Sequence, residues 1–435
     1  MVRILPKIKT GKSLQAIILL DHRFMHTPPI SNRATNLQAS PLRKLAATAE
    51  ARKKQGIKVY HLNIGQPDLP THIDFYNAVL DYLPTHKDFY KGVRKFHPHT
   101  IAYAPSKGLE EPLEAWSTYY KKVGISLAAK DIVITSGGSE GIIFALEAVC
   151  DPNDEVIVFE PFYTNYNSFA DLANVTLRPV TLDIKTGFHL PSEAVIKRAI
   201  TKRTKAILIC NPSNPTGTIF SKKELACLVK IAKQYGLFIL SDEVYREFAF
   251  ESKHYSIMDF PAIRQQAVVL DSASKRFNVC GARIGVVASH NQDIIASVLK
   301  MAMARLSVAS IEQEALVPLL KNPKKYTAGI VWEFRRRREA VYQGLKQIPN
   351  ITFSKPEGAF YIIIGLPVDD ADHFATWMIN DFQDKNETVL LAPAAGFYAT
   401  PGKGKREVRL AFMLNNKDLK RSLELLKLAL AEYNS

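Results

Sequence analysis

Six short stretches hold the side chains that could do chemistry. Asp242 follows the apolar run Phe238-Ile-Leu-Ser241. A carboxylate at the end of a buried strand is costly unless a cation faces it, and the protonated ring nitrogen of a cofactor would serve. The plainer alternative is a cap for the next segment. Lys275 lies among hydroxyls in Ser272-Ala-Ser-Lys-Arg276. There it forms a Schiff base if burial and nearby cations lower its pKa, and is otherwise an exposed loop lysine. Asn214 sits in Asn211-Pro-Ser-Asn-Pro-Thr-Gly217, a turn whose two prolines can hold an amide against a ligand oxygen. Gly137-Gly138-Ser139 opens a helix directly after a strand, where free N–H groups cradle an anion. The same stretch reads G-x-S-x-G to Gly141, so a serine nucleophile stays open beside the anion site. Arg283, in Gly281-Ala-Arg-Ile-Gly285, and Arg409, in Val408-Arg-Leu410, offer forks that match phosphate or carboxylate, or else make structural ion pairs.

The elements around these residues explain why they would converge. Strands are expected at Ile132–Thr135, Glu155–Phe159, Lys205–Cys210, Leu237–Leu240, Val268–Leu270 and Ile284–Ala288. Helices are expected at Ser139–Cys150 and Ser221–Tyr235, the latter opened by the capping box Ser221-x-x-Glu224 and closed by Gly236. Strands alternating with helices mean an α/β fold, with a mostly parallel sheet wrapped by helices. Ligands bind such sheets at the C-terminal strand ends, where the polar stretches fall. After about residue 320 the pattern changes to a smaller α+β domain. It has a long helix with Arg335–Arg338, strands at Phe360–Ile364 and Glu407–Phe412, a loop at Ala392–Gly404 and a terminal helix at Lys417–Tyr433. The four arginines are expected on a solvated helix face.

Composition excludes several classes. At 47% hydrophobic the 435 residues can build a large core, and no apolar run approaches the ~20 residues of a membrane span. Four cysteines without a C-x-x-C pair exclude a disulfide scaffold and fit a reducing cytosol. The net charge of +15 suggests nucleic acid, but residues 1–60 hold 12 Lys/Arg against Asp21 and Glu50. Two thirds of the excess therefore lies in the first seventh of the chain. Residues 1–36 are expected as an N-terminal extension. A presequence, or a start at Met25, are the alternatives. Gly11-Lys12-Ser13 is no P-loop, because Pro6 stands where the first glycine belongs.

Seven pieces in one order carry a family likeness: Asn63-Ile-Gly-Gln-Pro-Asp68, Tyr103-x4-Gly108, Asn211–Gly217, Ser241-Asp-Glu-Val-Tyr245, Ser272-x-Ser-Lys275, Arg283 and Arg409. From about residue 37 to the C-terminus the chain resembles the fold type I pyridoxal-phosphate enzymes, specifically class I/II aminotransferases of the aspartate aminotransferase type. The resemblance implies a large cofactor-binding domain over 73–319 and a small domain from 37–72 and 320–435. It implies that Lys275 holds pyridoxal 5'-phosphate and shuttles the α-proton, and that Asp242 pairs with the ring nitrogen. Tyr245 and Asn214 would bond the ring hydroxyl oxygen and Tyr163 would stack on the ring. Gly138, Ser139, Ser272, Ser274 and Arg283 would hold the phosphate. Gly65, Asn214 and Arg409 would hold the substrate α-carboxylate. Tyr103 would cross to the neighbouring site of a homodimer.

The activity implied is transamination between an L-amino acid and a 2-oxo acid, with glutamate and 2-oxoglutarate as one pair, in cytoplasmic amino acid metabolism. The alternative within the fold is a lyase, either a β C–S lyase or an aminocyclopropane-carboxylate synthase-like enzyme. Departures from the pattern are Ser139, where some acid-specific relatives have Lys, and a long stretch at 81–100. There His97-x-His99 is read as part of a surface insertion near the substrate mouth rather than a metal site. Lys107 and Arg305 are candidates for a second carboxylate contact. Neither nucleic acid nor membrane is expected as a partner; an extension of ~36 aperiodic residues is too short for a DNA-binding domain.

Overall fold

Seven strands rich in Ile and Val alternate with helices to form the larger sheet of this computed structural model, which describes residues 30–37, 43–82 and 101–435. The expectations for Met25, Gly11–Ser13 and His97-x-His99 lie outside the described residues. Residues 30–37 contain the short helix Asn32–Asn36 and belong to a unit distinct from the one formed by residue 38 onward.

The strands in chain order are β1 (Lys58–His61), β2 (Ile132–Thr135), β3 (Glu155–Glu160), β4 (Thr176–Thr181), β5 (Thr204–Cys210), β6 (Phe238–Asp242), β7 (Ala267–Ser272), β8 (Gly285–Ala288), β9 (Thr352–Phe353), β10 (Tyr361–Gly365), β11 (Glu387–Leu390), β12 (Ala392–Pro393) and β13 (Glu407–Ala411). The large sheet has the order β2-β8-β7-β6-β5-β3-β4. All its pairs are parallel except those of β8, which runs antiparallel to both β2 and β7. Both faces are covered, as the nearly continuous apolar runs require. Ile134, Ile157, Ile207 and Ile239 are fully buried in one cluster, and Val133, Val158, Leu208 and Leu240 in another on the opposite face. Truncating any of these isoleucines or leucines to Ala would cost roughly 2–5 kcal/mol.

The helix Lys222–Tyr235 has the expected capping box of Ser221 and Glu224 and ends at Gly236 in the left-handed region, φ +67°. The helix after β2 begins at Gly137, two residues before its expected start. A smaller antiparallel sheet, β12-β13-β10-β9, follows in the second half of the chain, and β1 pairs with β11 in a parallel two-stranded ribbon. A separate apolar cluster lies around β10 and β13, including Phe360, Ile362, Ile364, Val408 and Leu410. No helix among the described residues is long and apolar enough to cross a membrane.

The expectation of a solvated arginine face is corrected. Arg335 and Arg336 are exposed, but Arg337 and Arg338 are buried. Arg337 bonds Asp68 at 2.7 Å, Glu333 at 3.0 Å and the carbonyl of Met413. Arg338 bonds the Pro356 carbonyl at 3.1 Å and Glu251 at 3.0 Å. These two side chains staple the long helix Pro323–Leu345 to the loops before β10 and after β1.

Candidate active site

The polar stretches meet because of strand direction. Asp242 and Cys210 end the parallel strands β6 and β5 and stand in register, and Ser272 ends β7 beside them. Because β8 is antiparallel, its first residue Gly285 pairs with both Ser272 and Thr135. Arg283 just before it therefore arrives at the same edge as Gly138 and Ser139 just after β2. A Cβ at Gly285 would lie 2.6 Å from Gly137 C and 2.8 Å from Asp271 O, so only glycine permits this approach. On the small sheet, β13 lies beside β10 with Arg409 opposite Ile363, and the Arg409 guanidinium sits 4.5 Å from the Tyr361 ring centroid.

A cavity of about 590 Å³ is lined by Gly65, Gly138, Ser139, Tyr163, Asn214, Asp242, Tyr245, Ser272, Ser274, Lys275, Arg283 and Arg409. These are all the sequence-expected site residues except Tyr103, whose side chain is 81% exposed and lies away from its own chain's cavity. Among the described residues no histidine lines the cavity to serve Ser139 as an imidazole base, and the serine-nucleophile reading is set aside. Lys107 and Arg305 do not line it either. Lys107 Nζ donates to the Lys130 carbonyl at 3.0 Å. Arg305 bonds the Ile134 carbonyl at 3.2 Å and pairs with Glu140 at 3.4 Å. The expectation that either supplies a second carboxylate contact is unsupported by the arrangement of this chain.

Asp242 is buried, with Tyr166 Oη donating to one oxygen at 2.9 Å and the Val244 N–H to the other at 3.3 Å. Burial pushes its pKa up to about 6, and those donors only partly offset the effect. Among the described residues no cationic side chain is paired with it. Lys275 is half-buried in the short helix Ala273–Arg276, which Ser272 caps by accepting from the Ser274 N–H. Its neighbour Arg276 turns inward to the buried Asp271 and to Glu247, which fixes the helix while Lys275 faces the cavity. Lys275 Nζ donates to the Gly65 carbonyl at 2.8 Å. Ser272 Oγ and Ser274 Oγ are 2.8 Å apart. Arg283 is held in the left-handed region, φ +55°, and among the described residues donates only to the carbonyls of Cys280 and Ser136.

Arg409 is fully buried, donates to Asn214 Oδ1 at 3.1 Å and to the Asn63 carbonyl, and has no carboxylate within 4.0 Å among the described residues. Its Nε has no hydrogen-bond partner among the described residues, and burial lowers its pKa. A buried guanidinium without a counter-charge calls for an anion from outside the chain. Pyridoxal phosphate fits the remaining groups. It carries a ring nitrogen that Asp242 can balance and a phosphate for Arg283, the two serines and the N–H groups at the start of the Gly137–Val149 helix, which have no partner within that helix.

Sequence reasoning missed Tyr166, Tyr361 and Arg43. Tyr361 Oη bonds Tyr245 Oη at 2.9 Å. A Cβ on Gly65 would lie 1.9 Å from Tyr361 Oη, which explains the glycine. The available signal was a hydroxyl inside the otherwise apolar run Phe360–Ile364.

Known proteins extend the likeness over the whole body. A probable aspartate aminotransferase of Methanocaldococcus jannaschii is 29% identical, over 92% of this chain and 99% of the relative. An aspartate/prephenate aminotransferase of Thermus thermophilus is 27% identical, over 91% and 97%. The solved structure of Thermus thermophilus aspartate aminotransferase with maleate superposes with a TM-score of 0.81 at 25% identity, covering 92% of this chain and all of that one. The family described as aminotransferase class I and II matches residues 57–426, so the chain belongs to that family and is an enzyme that transfers amino groups with pyridoxal phosphate as cofactor.

Proposed function

We propose that this enzyme moves an amino group between an L-amino acid and a 2-oxo acid, with glutamate and 2-oxoglutarate as one pair, through the residues gathered in this cavity. The observation that carries the reading is the buried Arg409 with no counter-anion among the described residues, in one cavity with Lys275 and Asp242. An arginine fork binds a carboxylate through two parallel bonds, and every amino acid and 2-oxo acid presents one.

Pyridoxal phosphate supplies an electron sink for the carbon next to the amino group. Lys275 holds it, and the lysine amine then takes and returns the α-proton. Asp242 keeps a negative charge against the ring nitrogen. Tyr245 and Asn214 donate to the ring hydroxyl oxygen, and Tyr163 packs on the ring. Ser272, Ser274, Arg283 and the Gly138 and Ser139 N–H groups hold the phosphate. Arg409, with Asn214 and Gly65 beside it, orients the substrate by its α-carboxylate.

A homodimer belongs to this proposal. The helix Ile73–Tyr82 buries none of its residues, and Ile73, Tyr76 and Leu80 form an exposed apolar stripe at helical spacing. Tyr103 adds its ring to the exposed apolar surface and would reach a second copy's phosphate site. The separate antiparallel sheet and its apolar cluster support a small domain from 37–72 and 320–435, beside a large one over 73–319. Four free cysteines agree with a cytoplasmic setting. A panel of amino donors with 2-oxoglutarate as acceptor tests the reading. At least one donor should turn over and leave the cofactor in its amine form. No turnover with any donor, or return of the cofactor to its starting form with loss of a substrate group, would favour the lyase instead.

A further inference from the structure

One buried carboxylate near the cavity has no part in the chemistry derived above. Glu160 ends β3, is fully buried, and has no cation within 4.0 Å among the described residues. A buried charge without a counter-ion persists only where hydrogen bonds replace its lost water. Here Thr181 Oγ1 donates to Oε1 at 2.6 Å. The N–H groups of Ala399 and Thr400 both donate to Oε2, at 2.8 and 3.0 Å. Those two residues belong to the loop between β12 and β13. Two residues beyond Glu160, the Phe162 N–H donates to the Phe397 carbonyl of the same loop at 2.9 Å. The turn after β3 thus grips this loop at two points, and its next residue, Tyr163, lines the cavity. Phe397 is fully buried in the short turn Ala395–Phe397, and its ring centroid lies 5.1 Å from the Arg409 guanidinium. The same guanidinium meets Tyr361, which stands on β10, whereas Phe397 depends on the gripped loop for its place.

We propose that Glu160 is a positioning residue for carboxylate binding: by holding the Ala399–Thr400 backbone it keeps the Phe397 ring against Arg409 and so fixes the fork that receives the acid. This inference rests on the proposed use of Arg409, and it adds a residue that touches neither substrate nor cofactor. What the loop needs from Glu160 is reach rather than charge, because one oxygen accepts both N–H groups. Glutamine supplies that oxygen in the same place and turns its NH2 to Thr181, whose hydroxyl can accept instead of donate. Aspartate keeps the charge but draws the oxygens back by one methylene, which leaves the two N–H groups without a partner at bonding distance.

The test uses the cofactor-loaded protein, calorimetric titration with butyrate as a simple monocarboxylate, and steady-state kinetics with a donor that wild type turns over. Glu160→Asp should weaken butyrate and raise KM roughly 10-fold, with kcat within about threefold, because a misplaced fork loses binding rather than chemistry. Glu160→Gln should stay within about threefold of wild type in butyrate affinity and KM. Phe397→Leu should weaken butyrate as Glu160→Asp does, and the double variant should be no weaker than Glu160→Asp alone. The proposal is overturned if Glu160→Asp binds butyrate like wild type while only its melting temperature falls. It is overturned equally if Glu160→Gln loses as much as Glu160→Asp, or if the two losses add in the double variant. Donors turned over by a protein whose variants all hold butyrate equally refute Glu160 and leave transamination. Butyrate bound by wild type and lost in Glu160→Asp, with no donor turned over, refutes transamination and leaves Glu160 as the support of Arg409. A wild type that binds no butyrate overturns the use of Arg409 and this inference with it.

Discussion

Asp242 provides the sharpest test, because its two readings predict opposite signs. Its carboxyl titrates near 6 rather than the ordinary 3.8, chiefly through burial. At about 1.36 kcal/mol per unit, ionising it in the folded, cofactor-free protein costs about 3 kcal/mol. An acid whose folded pKa is raised favours the folded state while protonated. That contribution is complete below pH 3.8 and is lost as the pH rises through 6. Asp242→Asn removes the charge and keeps the acceptor for Tyr166 Oη, but it turns an amide toward the Val244 N–H, which costs about 1 kcal/mol. The cofactor-free variant should therefore be more stable than wild type by about 2 kcal/mol at pH 8, and no more stable at pH 4. With roughly 2.1 cal/mol/K of unfolding entropy per residue, a chain of 435 residues shifts by about 1 °C per kcal/mol, so Tm should rise by about 2 °C.

Activity should move the other way. On the proposed function Asp242 is the counter-charge of the ring in the loaded enzyme, and its loss should lower turnover on the order of 10²–10³, as for one preorganised electrostatic group. Scanning calorimetry of the stripped protein at pH 4 and pH 8, with single-turnover kinetics of the loaded one, reads both effects. If Asp242 were only a cap for the following turn, the variant would lose stability at both pH values and keep its turnover. Near-wild-type turnover would refute the cofactor role, and a lower Tm at pH 8 would refute the desolvation argument.

Two other perturbations probe the supports of the site. Gly65→Ala places a methyl 1.9 Å from Tyr361 Oη, which is buried and bonded to Tyr245, so the Gly65 segment must shift. We expect a loss of about 1–3 kcal/mol from overpacking and a drop on the order of 10² in kcat/KM as Lys275 loses its fixed neighbour; a variant with wild-type melting and kinetics would contradict the geometry. His189 lies 3.0 Å from Glu224 and 3.6 Å from Glu357, whose bonds raise its pKa to about 10. Its contribution is complete below its unfolded pKa of 6.5 and is lost as the pH rises through 10. The ring is more than a third exposed, so solvent screening leaves on the order of 1 kcal/mol. His189→Ala should lower stability at pH 6 and match wild type above pH 10, and denaturation at the two pH values that shows a constant gap would exclude the ion pair as the cause.

What sequence shows well here is whatever is local to one strand and its turn. Asp242, Ser272, Lys275 and Asn214 each follow a run of apolar residues too short for anything but a buried strand, and parallel direction then brings their turns to one edge. Arg283 joins them only through the antiparallel β8, which no single-strand pattern announces. Arg409 stood out as one possible anion fork, but its substrate role came only through the family likeness, because that role depends on the pairing of β13 with β10 across more than forty residues. Strand β4 was missed for a plain reason: it is an edge strand with Pro179 in it and only one buried residue, so it lacks the apolar run that marked the others. The arginine run was misread although the helix period held the answer. Successive residues on a helix point ~100° apart, so four in a row cannot share one face. At least one of Arg335–Arg338 had to turn inward and find carbonyls or carboxylates, as Arg337 and Arg338 do with Asp68, Glu251 and Pro356. The same logic separates the cations of the site. A buried arginine whose partners lie within the chain, such as Arg337, is a fastener, whereas Arg409, equally buried and short of an anion among the described residues, is on the proposed function complete only when a substrate carboxylate arrives.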